Sequence, residues 1–464
     1  MQKAARDKTL VIIISGIAIG LWLSLSEGTF FILACALIIF FILKYALPQE
    51  DRGFVFKVIL IGFALRIIMA LLYYYLYLAP GNIDILGPDG ESYSQRGWYI
   101  SRLLLGQDPH IVPASKEYIF QNYNDIVQYY KGKLPAMGVY QIGIFTYLFG
   151  LLYAAYNYSP LMIRIINSSL SILTAIIVYF IAREIFNARV GRISLAILMF
   201  LPSSLLFSVT AIKDPAIIFL LTLIIWLMLK FQAKKNILFI ILVFASALLT
   251  NALRLRMMIP LLFFIAFSFW AGLKLANFKK IVIALAVVFL LMSIPQLTNQ
   301  VKYSLIPENF FSAHIGYINT GGGSTYKIFP ERCYLLSQSR LTGVGPLEIA
   351  QGVLEGTMHL FYEPLPYRIF QSKGYFFAFF QTALLCLFTP FIIMGLLMAL
   401  RYQARKVIPL TAFLVIFTPL LALTEGSVGT VIRHRDMLIP FLIILGVAGA
   451  YVKFAKDDKL FNIK

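Results

Sequence analysis

Charged residues are scarce in this chain of 464 residues: Asp, Glu, Lys and Arg make up 13% of it, while 60% is hydrophobic. A water-soluble domain carries about 25% charged residues, so a soluble globular class is excluded. About 20 consecutive apolar residues cross the roughly 30 Å of hydrocarbon in a bilayer as one helix, with every backbone group bonded internally. The composition therefore predicts an all-α, polytopic integral membrane protein.

Cysteine and familiar cofactor motifs are also missing. The chain has 3 cysteines, Cys35, Cys333 and Cys386, which form neither a disulfide framework nor a metal-binding pattern. It contains no P-loop, no dinucleotide-binding fingerprint and no HExxH motif, so the sequence shows no motif that would bind a soluble nucleotide donor. No inverted internal repeat is visible, which disfavours a secondary transporter.

The net charge of +19 reflects topology and does not indicate a nucleic-acid partner. Most basic residues lie in short clusters between apolar runs, where the positive-inside rule places cytoplasmic loops. Counting these clusters predicts about twelve spanning helices with both termini cytoplasmic, and these include spans at 161–181, 215–230, 281–296, 376–400 and 407–423. The count depends on residues 138–156, which we interpret as lying in or dipping into the outer interface, because a crossing there would invert every later basic loop.

This topology divides the chain into four parts. We expect an N-terminal transmembrane hairpin at 1–53, and a transmembrane module at 54–296 that includes the first large external loop, 80–160. An external loop or small subdomain follows at 297–375, and C-terminal transmembrane helices at 376–464. The apolar run at 9–25 is interpreted as a retained first helix. Within the first external loop, the spacing of apolar residues predicts a short surface helix over Tyr93–Leu105.

Two acidic segments are predicted to lie at membrane edges on the same, outer side. The first is Gly87-Pro88-Asp89-Gly90-Glu91-Ser92-Tyr93, shortly after an apolar run at 54–79; the second is Lys213-Asp214-Pro215. Either segment alone is explained by a solvated loop. Together with outward arginines, they indicate a site that contains Asp89, Glu91 and Asp214, with Tyr93 in support.

Five basic residues break the positive-inside pattern at the predicted outer ends of helices: Lys213, Arg254, Arg256, Arg433 and Arg435. An arginine near the bilayer centre costs about 2.5–3.5 kcal/mol on insertion scales and usually faces a partner or a wet cavity. Each one alone is explained by snorkelling or by pairing with Asp214, Glu425 or Asp436. Five together favour an anion site, since the guanidinium fork suits phosphate oxygens. His434, between two arginines, would stay neutral and serve as donor or acceptor.

These residues resemble the polyprenyl-phosphate-sugar-dependent glycosyltransferases of the GT-C superfamily, which include protein O-mannosyltransferases and lipid A aminoarabinose transferases. Residues Pro88–Tyr93 are similar to the Pro-Asp-Glu-x-x-Tyr motif of that family, and Arg164 and Asp214-Pro215 follow in the family's order. The resemblance covers about residues 54–273 and, more weakly, 425–440. The chain departs from the pattern at Gly90, where the family has a second acid, and in the two helices before the motif helix.

The resemblance implies a GT-C-like membrane glycosyltransferase of the cell envelope, with its active site on the external or periplasmic face of the cell membrane. A sugar on a polyprenyl phosphate would pass, with inversion, to a hydroxyl of a lipid, glycan or protein acceptor. Asp89 would act as general base or orient the acceptor, and the five basic residues would bind the donor phosphate. Asp214 would share a divalent metal with Asp89 or hold Lys213.

Two other functions are also compatible with the sequence. A polysaccharide polymerase or ligase would use the outer arginines and the 297–375 loop on a lipid-diphosphate glycan, and would not require Asp89. A transporter or flippase would line a substrate path with Asp89, Asp214 and the arginines.

Overall fold

A computed structural model describes residues 27–79, 84, 86–113, 123–134, 143–254, 257–272, 307–320, 324–335, 340–371 and 373–455. The described chain is almost entirely helical, with one antiparallel pair of two-residue strands. The all-α prediction is therefore confirmed. The predicted helices at 9–25 and 281–296 lie outside the described residues, as does Arg256.

The helices of the first half are α1 (Glu27–Ala46), α2 (Gln49–Leu72), α3 (Pro88–Leu104), α4 (Tyr123–Tyr130), α5 (Ile144–Tyr156), α6 (Pro160–Ile185), α7 (Ala188–Phe200), α8 (Pro202–Ser208), α9 (Asp214–Lys234), α10 (Ile237–Leu253) and α11 (Met258–Gly272). A π-helical segment, Tyr73–Leu78, continues α2. A helix is observed where the surface helix was predicted: it is α3, which starts five residues earlier than expected. Its place at the membrane surface stays a prediction.

The second half contains α12 (Pro307–Thr320), a 3-10 turn (Glu331–Cys333), β1 (Tyr334–Leu335), β2 (Arg340–Leu341), α13 (Pro346–Tyr362), a 3-10 helix (Pro366–Gln371), α14 (Lys373–Thr424), α15 (Val428–Arg435) and α16 (Ile439–Ala455). The strands pair Tyr334 with Leu341 and Leu335 with Arg340. The predicted external loop at 297–375 thus has secondary structure of its own.

Four helical stretches of the described chain are long and apolar enough to cross a membrane: Gln49–Leu78, Pro160–Ile185, Asp214–Lys234 and Gly374–Thr424. Two bent pairs, α7 with α8 and α15 with α16, raise the number to 6 if each pair is one span. A polytopic membrane protein is supported, and the number of about twelve spans stays a prediction.

Helix α14 has non-helical backbone at Gln403, with φ −133° and ψ 30°. An unbroken helix of 51 residues would be about 76 Å long, more than twice the hydrocarbon thickness. The break divides α14 into two arms, which coincide with the spans predicted at 376–400 and 407–423.

Helix α5 is short, with 13 residues. At 1.5 Å per residue it extends about 20 Å, which is less than the roughly 30 Å needed to cross the hydrocarbon. This length supports the interpretation that residues 138–156 do not span, although 138–142 lie outside the described chain.

The chain divides into two compact units. Unit 1 comprises residues 1–173 and 205–215, and unit 2 comprises 174–204 and 216–464. In unit 1, Ile67 of α2 packs with Leu161 and Ile165 of α6 in a buried apolar cluster. Helices α3 and α5 approach closely through glycines, because a Cβ on Gly97 would collide with Phe149 and one on Gly150 with Ile100.

Unit 2 contains the C-terminal helices and the segments of the long predicted loop. Helices α14 and α16 cross in contact, since a Cβ on Gly395 would collide with the carbonyl of Leu445. The segment before the β-hairpin pairs with the segment that precedes α15: the amide of Tyr326 donates to Gly426 O at 3.0 Å, and the amide of Val428 donates to Ser324 O at 3.0 Å. The long loop is therefore fixed to the start of the arginine-bearing helix.

Candidate active site

The acidic turn forms the first turn of α3. Pro88 occupies the start of the helix, and Asp89 and Glu91 lie in its first turn. Proline suits this position because its fixed φ matches the helix and its missing N–H would lack a partner there. Carboxylates are favoured at a helix N-terminus by the unpaired amides and the helix dipole. The Asp89 side chain is exposed, so it is accessible to a substrate.

A buried ion pair holds this turn in place. Arg164 Nη2 of α6 donates to Asp84 Oδ2 at 2.7 Å, and both side chains are 4% exposed. Asp84 Oδ1 accepts hydrogen bonds from the Tyr73 hydroxyl and from the Gly87 amide, each at 2.9 Å. The carboxylate thus joins the end of the α2 segment, the turn before α3 and the first turns of α6.

The second acidic segment is held by the same helix α6. Asn167 Nδ2 donates to the carbonyls of Thr210 and Ile212, both at 2.8 Å, and the Ser168 hydroxyl donates to Ser208 O at 3.2 Å. These bonds fix the non-helical link between α8 and α9. The link ends at Lys213 and Asp214, where α9 begins.

The two acidic segments are in contact within unit 1. A Cβ on Gly87 would lie 2.8 Å from Ile212 Cγ2, and one on Gly90 would lie 3.1 Å from both the Cβ and the carbonyl oxygen of Ala211. The Lys213 ammonium lies 5.9 Å from the centroid of the Tyr93 ring, in cation–π range. The contact at Ala211 also gives a physical reason for glycine at position 90, where the family pattern has an acid: a side chain there would be tight against this link.

The carboxylates of unit 1 differ in environment. Asp89 is exposed, Asp214 is 4% exposed, and Glu91 is half-buried. Burial raises the pKa of Glu91, the charge of Asp84 raises it further, and Arg164 lowers it. Asp89 is therefore the most accessible predicted acid.

The sequence reasoning missed Asp84. It lies in the same loop as Asp89, and its ion pair with Arg164 cannot be predicted from the local sequence. The available signal was its position three residues before Gly87, where an aspartate can accept the backbone amide and set a turn.

In unit 2, Arg254, Glu425 and His434 form a second cluster. Arg254 Nη2 lies 3.1 Å from His434 Nδ1 and 3.5 Å from Glu425 Oε1, and His434 Nδ1 lies 2.5 Å from the same carboxylate oxygen. Glu425 and His434 are buried, whereas the Arg254 side chain is 19% exposed. The alternative predicted for Arg254, a pair with Glu425, is thus observed, and the Arg254 side chain remains partly exposed.

Burial and nearby cations act on Glu425 in opposite directions. Burial raises its pKa from 4.5 to about 7, and the charges of Arg254 and Arg433 lower it without overcoming that effect. The Glu425 carboxyl, which is in short contact with His434, is therefore partly protonated near neutral pH.

His314 fixes the backbone of Glu425. The Tyr334 hydroxyl accepts the amides of Ile328 and Phe329 at 3.0 and 3.2 Å, so its own proton points to His314 Nε2 at 2.9 Å. His314 Nδ1 then carries the hydrogen and donates to the Glu425 carbonyl at 2.5 Å. Burial lowers the pKa of His314, which agrees with this neutral tautomer.

The two arginines of α15 have different environments. Arg435 is fully buried, and its Nη1 donates to the carbonyls of Phe361 and Glu363 and to the Thr382 hydroxyl at 3.0, 2.8 and 3.1 Å. Arg433 is half-buried and lies close enough to Glu425 to influence its charge. These contacts favour a structural role for Arg435, whose predicted role in donor binding stays a prediction.

A cation site of three or more His, Cys, Asp or Glu side chains does not occur in the described part of the chain. The residues present near the acidic turn therefore supply carboxylates but no complete ligand set. The predicted metal pair Asp89 and Asp214 stays a prediction; such an ion would take its other ligands from substrate oxygens and water.

Replacing Asp84 with Asn should destabilise the protein, because it leaves the Arg164 charge buried without its partner. We expect the free energy of unfolding to fall by about 3–5 kcal/mol. The measurement is the melting temperature of purified protein in detergent. The matched control is Asp125→Asn, an exposed aspartate in the first turn of α4, which should change it little. Equal melting temperatures for the two variants would contradict the role of the ion pair.

The stability of the protein should depend on pH through Glu425. Because its folded-state pKa is raised from 4.5 to about 7, its contribution is fully present below pH 4.5 and is lost as the pH rises to about 7. The melting temperature of wild type minus that of Glu425→Gln should therefore fall across this window and level off above it. Glu355→Gln, on the surface of α13, should show no such trend. A flat difference for Glu425→Gln would contradict the raised pKa.

Comparison with known families supports a sugar-transfer protein. Residues 133–298 match the family model described as dolichyl-phosphate-mannose-protein mannosyltransferase. A search among curated proteins found no match. The matched range contains Arg164, Lys213, Asp214 and Arg254, whereas the acidic turn at 87–93 and the arginines of α15 lie outside it. The resemblance predicted from the sequence is confirmed over residues 133–298: there the chain is similar to the dolichyl-phosphate-mannose-protein mannosyltransferases, which supports a membrane glycosyltransferase.

Proposed function

We propose that this protein transfers a sugar from a polyprenyl-phosphate-linked donor to an acceptor hydroxyl on the external face of the cell membrane, with inversion at the anomeric carbon. One observation carries the proposal: an exposed carboxylate, Asp89, starts a helix that packs directly against the link carrying Lys213 and Asp214. The family match over 133–298 supports the same chemistry. The acceptor would be a lipid, a glycan or a protein.

In this reaction the acceptor oxygen attacks the anomeric carbon and forms the new glycosidic bond. The bond between that carbon and the phosphate oxygen breaks, and the polyprenyl phosphate leaves with the electron pair. The acceptor proton goes to Asp89, whose exposed carboxylate serves as general base or orients the hydroxyl. The buried Asp214 would hold Lys213 or share a metal ion with Asp89, and Asp84 positions the turn through the Gly87 amide.

The leaving group gains negative charge, which cationic side chains stabilise. Arg254 and Arg433 are partly accessible and suit this role. Glu425 holds Arg254 at 3.5 Å and shares a short contact with His434. Because burial keeps the pKa of Glu425 near 7, a protonated Glu425 would leave the positive charge of Arg254 available to the phosphate. Lys213 and Arg256 are further predicted phosphate ligands.

We expect Asp89→Asn to abolish transfer, with a loss of about 10²–10⁴ in rate, because general base catalysis contributes that much. The assay is transfer of radiolabelled sugar from synthetic short-chain polyprenyl-phosphate donors by purified protein in nanodiscs. The exposed position of Asp89 means that the variant should keep its melting temperature. Asp108→Asn, an exposed aspartate after α3, is the matched control and should keep its activity.

Full activity of Asp89→Asn, with a normal Asp108→Asn, would remove Asp89 from the mechanism. It would favour the polymerase or ligase reading, which needs no acid at this position.

A pair of variants on α15 separates ligand binding from structure. Arg433→Gln should raise the KM of the donor or lower kcat, reducing kcat/KM about 10- to 100-fold, since a hydrogen bond to a charged group contributes about 1.5–3 kcal/mol. Arg435→Gln should instead lower the melting temperature, because its guanidinium connects α15 to two carbonyls at the C-terminal end of α13. Unchanged kinetic constants in Arg433→Gln would exclude it as a phosphate ligand. A kinetic loss in Arg435→Gln at unchanged melting temperature would restore Arg435 to the site.

A further inference from the structure

Helix α13 presents one face to the protein. Its buried residues Gly352, Gly356 and Leu360 are spaced four apart and share that face. A Cβ on Gly352 would lie 2.7 Å from the Phe329 ring, and one on Gly356 would collide with the carbonyl of Ala422 in α14. These contacts fix the rotation of α13 about its own axis, so the directions of its other faces are fixed as well.

The opposite face of α13 is apolar and exposed. Leu347, Leu354 and Met358 are 78%, 71% and 59% exposed. With 100° per residue, they lie within about 40° of one another around the helix and roughly 180° from the middle of the buried face. Large aliphatic side chains aligned in one stripe on a packed helix are an unpartnered apolar surface.

A polar edge borders the stripe. Glu348 accepts from Arg332 at 2.7 Å, and Gln351 Nε2 donates to Glu355 at 2.8 Å. The helix thus has a protein-facing side, an apolar side and a charged edge. An amphipathic helix of this kind suits a membrane interface, where the apolar side enters the acyl boundary and the polar edge stays in water.

The chain after α13 continues this apolar surface into a membrane-span candidate. The 3-10 helix at 366–371 exposes Tyr367 and Phe370, at 67% and 90%. The following arm of α14, which begins the span candidate at Gly374, exposes Phe376, Phe377 and Phe380, at 44%, 48% and 53%. Aromatic side chains at the entry of a span are typical of the interface between lipid and water.

We propose that α13 lies in the membrane interface, with Leu347, Leu354 and Met358 inserted into the lipid of the bilayer. The partner of this surface is lipid because the exposed apolar residues lead along the chain into the lipid-facing entry of α14. The predicted loop at 297–375 is then a membrane-attached subdomain, held by α13 as well as by its connection to α14. This inference does not depend on the sugar-transfer reaction.

Site-directed spin labelling of the full chain in nanodiscs tests the proposal. In a background with Cys35→Ser, Cys333→Ala and Cys386→Ser, single cysteines are placed on the stripe as Leu347→Cys and Leu354→Cys. Glu355→Cys on the polar edge is the matched control on the same helix, and Glu331→Cys, whose side chain is 80% exposed, is the reference for water. Met358→Cys is a second stripe variant in case one of the others elutes as aggregate.

Labels on the stripe should be several-fold more accessible to molecular oxygen, relative to a water-soluble nickel chelate, than the labels at 355 and 331. Stripe labels with the accessibility ratio of the label at 331 would overturn the proposal, because they would be in water. Dipolar broadening between stripe labels, present in discs with two copies and absent in discs with one, would also overturn it. The occupant would then be a second copy of the chain.

Discussion

The buried ion pair between Asp84 and Arg164 determines how unit 1 is assembled. The carboxylate binds the end of the α2 segment, the turn before α3 and the start of α6, and Asn167, three residues after Arg164, holds the link before α9. Both acidic segments are therefore positioned by the first two turns of one helix. A buried ion pair adds little net stability compared with apolar packing, but it accepts few alternative geometries. Its value here is to fix where Asp89 and Lys213 lie.

In unit 2, burial affects the pKa of an acidic residue more strongly than the neighbouring positive charges do. Glu425 lies beside cationic groups, yet desolvation dominates and keeps the pKa of its carboxyl near 7. The backbone of this residue is held by His314, from the long predicted loop, so that loop contributes to the electrostatics of the arginine cluster. Two arginines separated by one residue have different environments: Arg435 is fully buried and donates through Nη1 to two carbonyl groups, and Arg433 keeps partial exposure.

Local pattern predicted much of this fold. Apolar runs predicted the spans now described as α2, α6, α9 and both arms of α14, and the spacing of apolar residues over Tyr93–Leu105 predicted α3 except for its first five residues. The two acidic segments were predicted to lie on the same side of the membrane, and the contact between them agrees with that prediction. The total number of spans was inferred from charge bias, and two of the predicted helices lie outside the described residues.

Other features required three-dimensional structure. Asp84 pairs with a residue 80 positions away, and Arg254 with one 171 positions away, so neither pair could be predicted from local sequence. The role of Gly90 appears only once Ala211 lies beside it. The three faces of α13 could not be predicted from the sequence, because Gly352 and Gly356 are buried while Leu347 and Leu354 are exposed, which reverses the usual pattern of an amphipathic helix.

The donor proposed for this protein is a sugar on a single lipid phosphate. The most direct measurement incubates wild-type protein in nanodiscs with two sets of synthetic substrates: polyprenyl-monophosphate sugars and polyprenyl-diphosphate glycans. We expect release of polyprenyl phosphate from at least one monophosphate donor and no turnover of the diphosphates. Turnover of the diphosphate glycans alone would contradict the account and indicate a polymerase or ligase. Movement of an intact lipid-linked substrate across the membrane, with no bond broken, would contradict it in favour of transport.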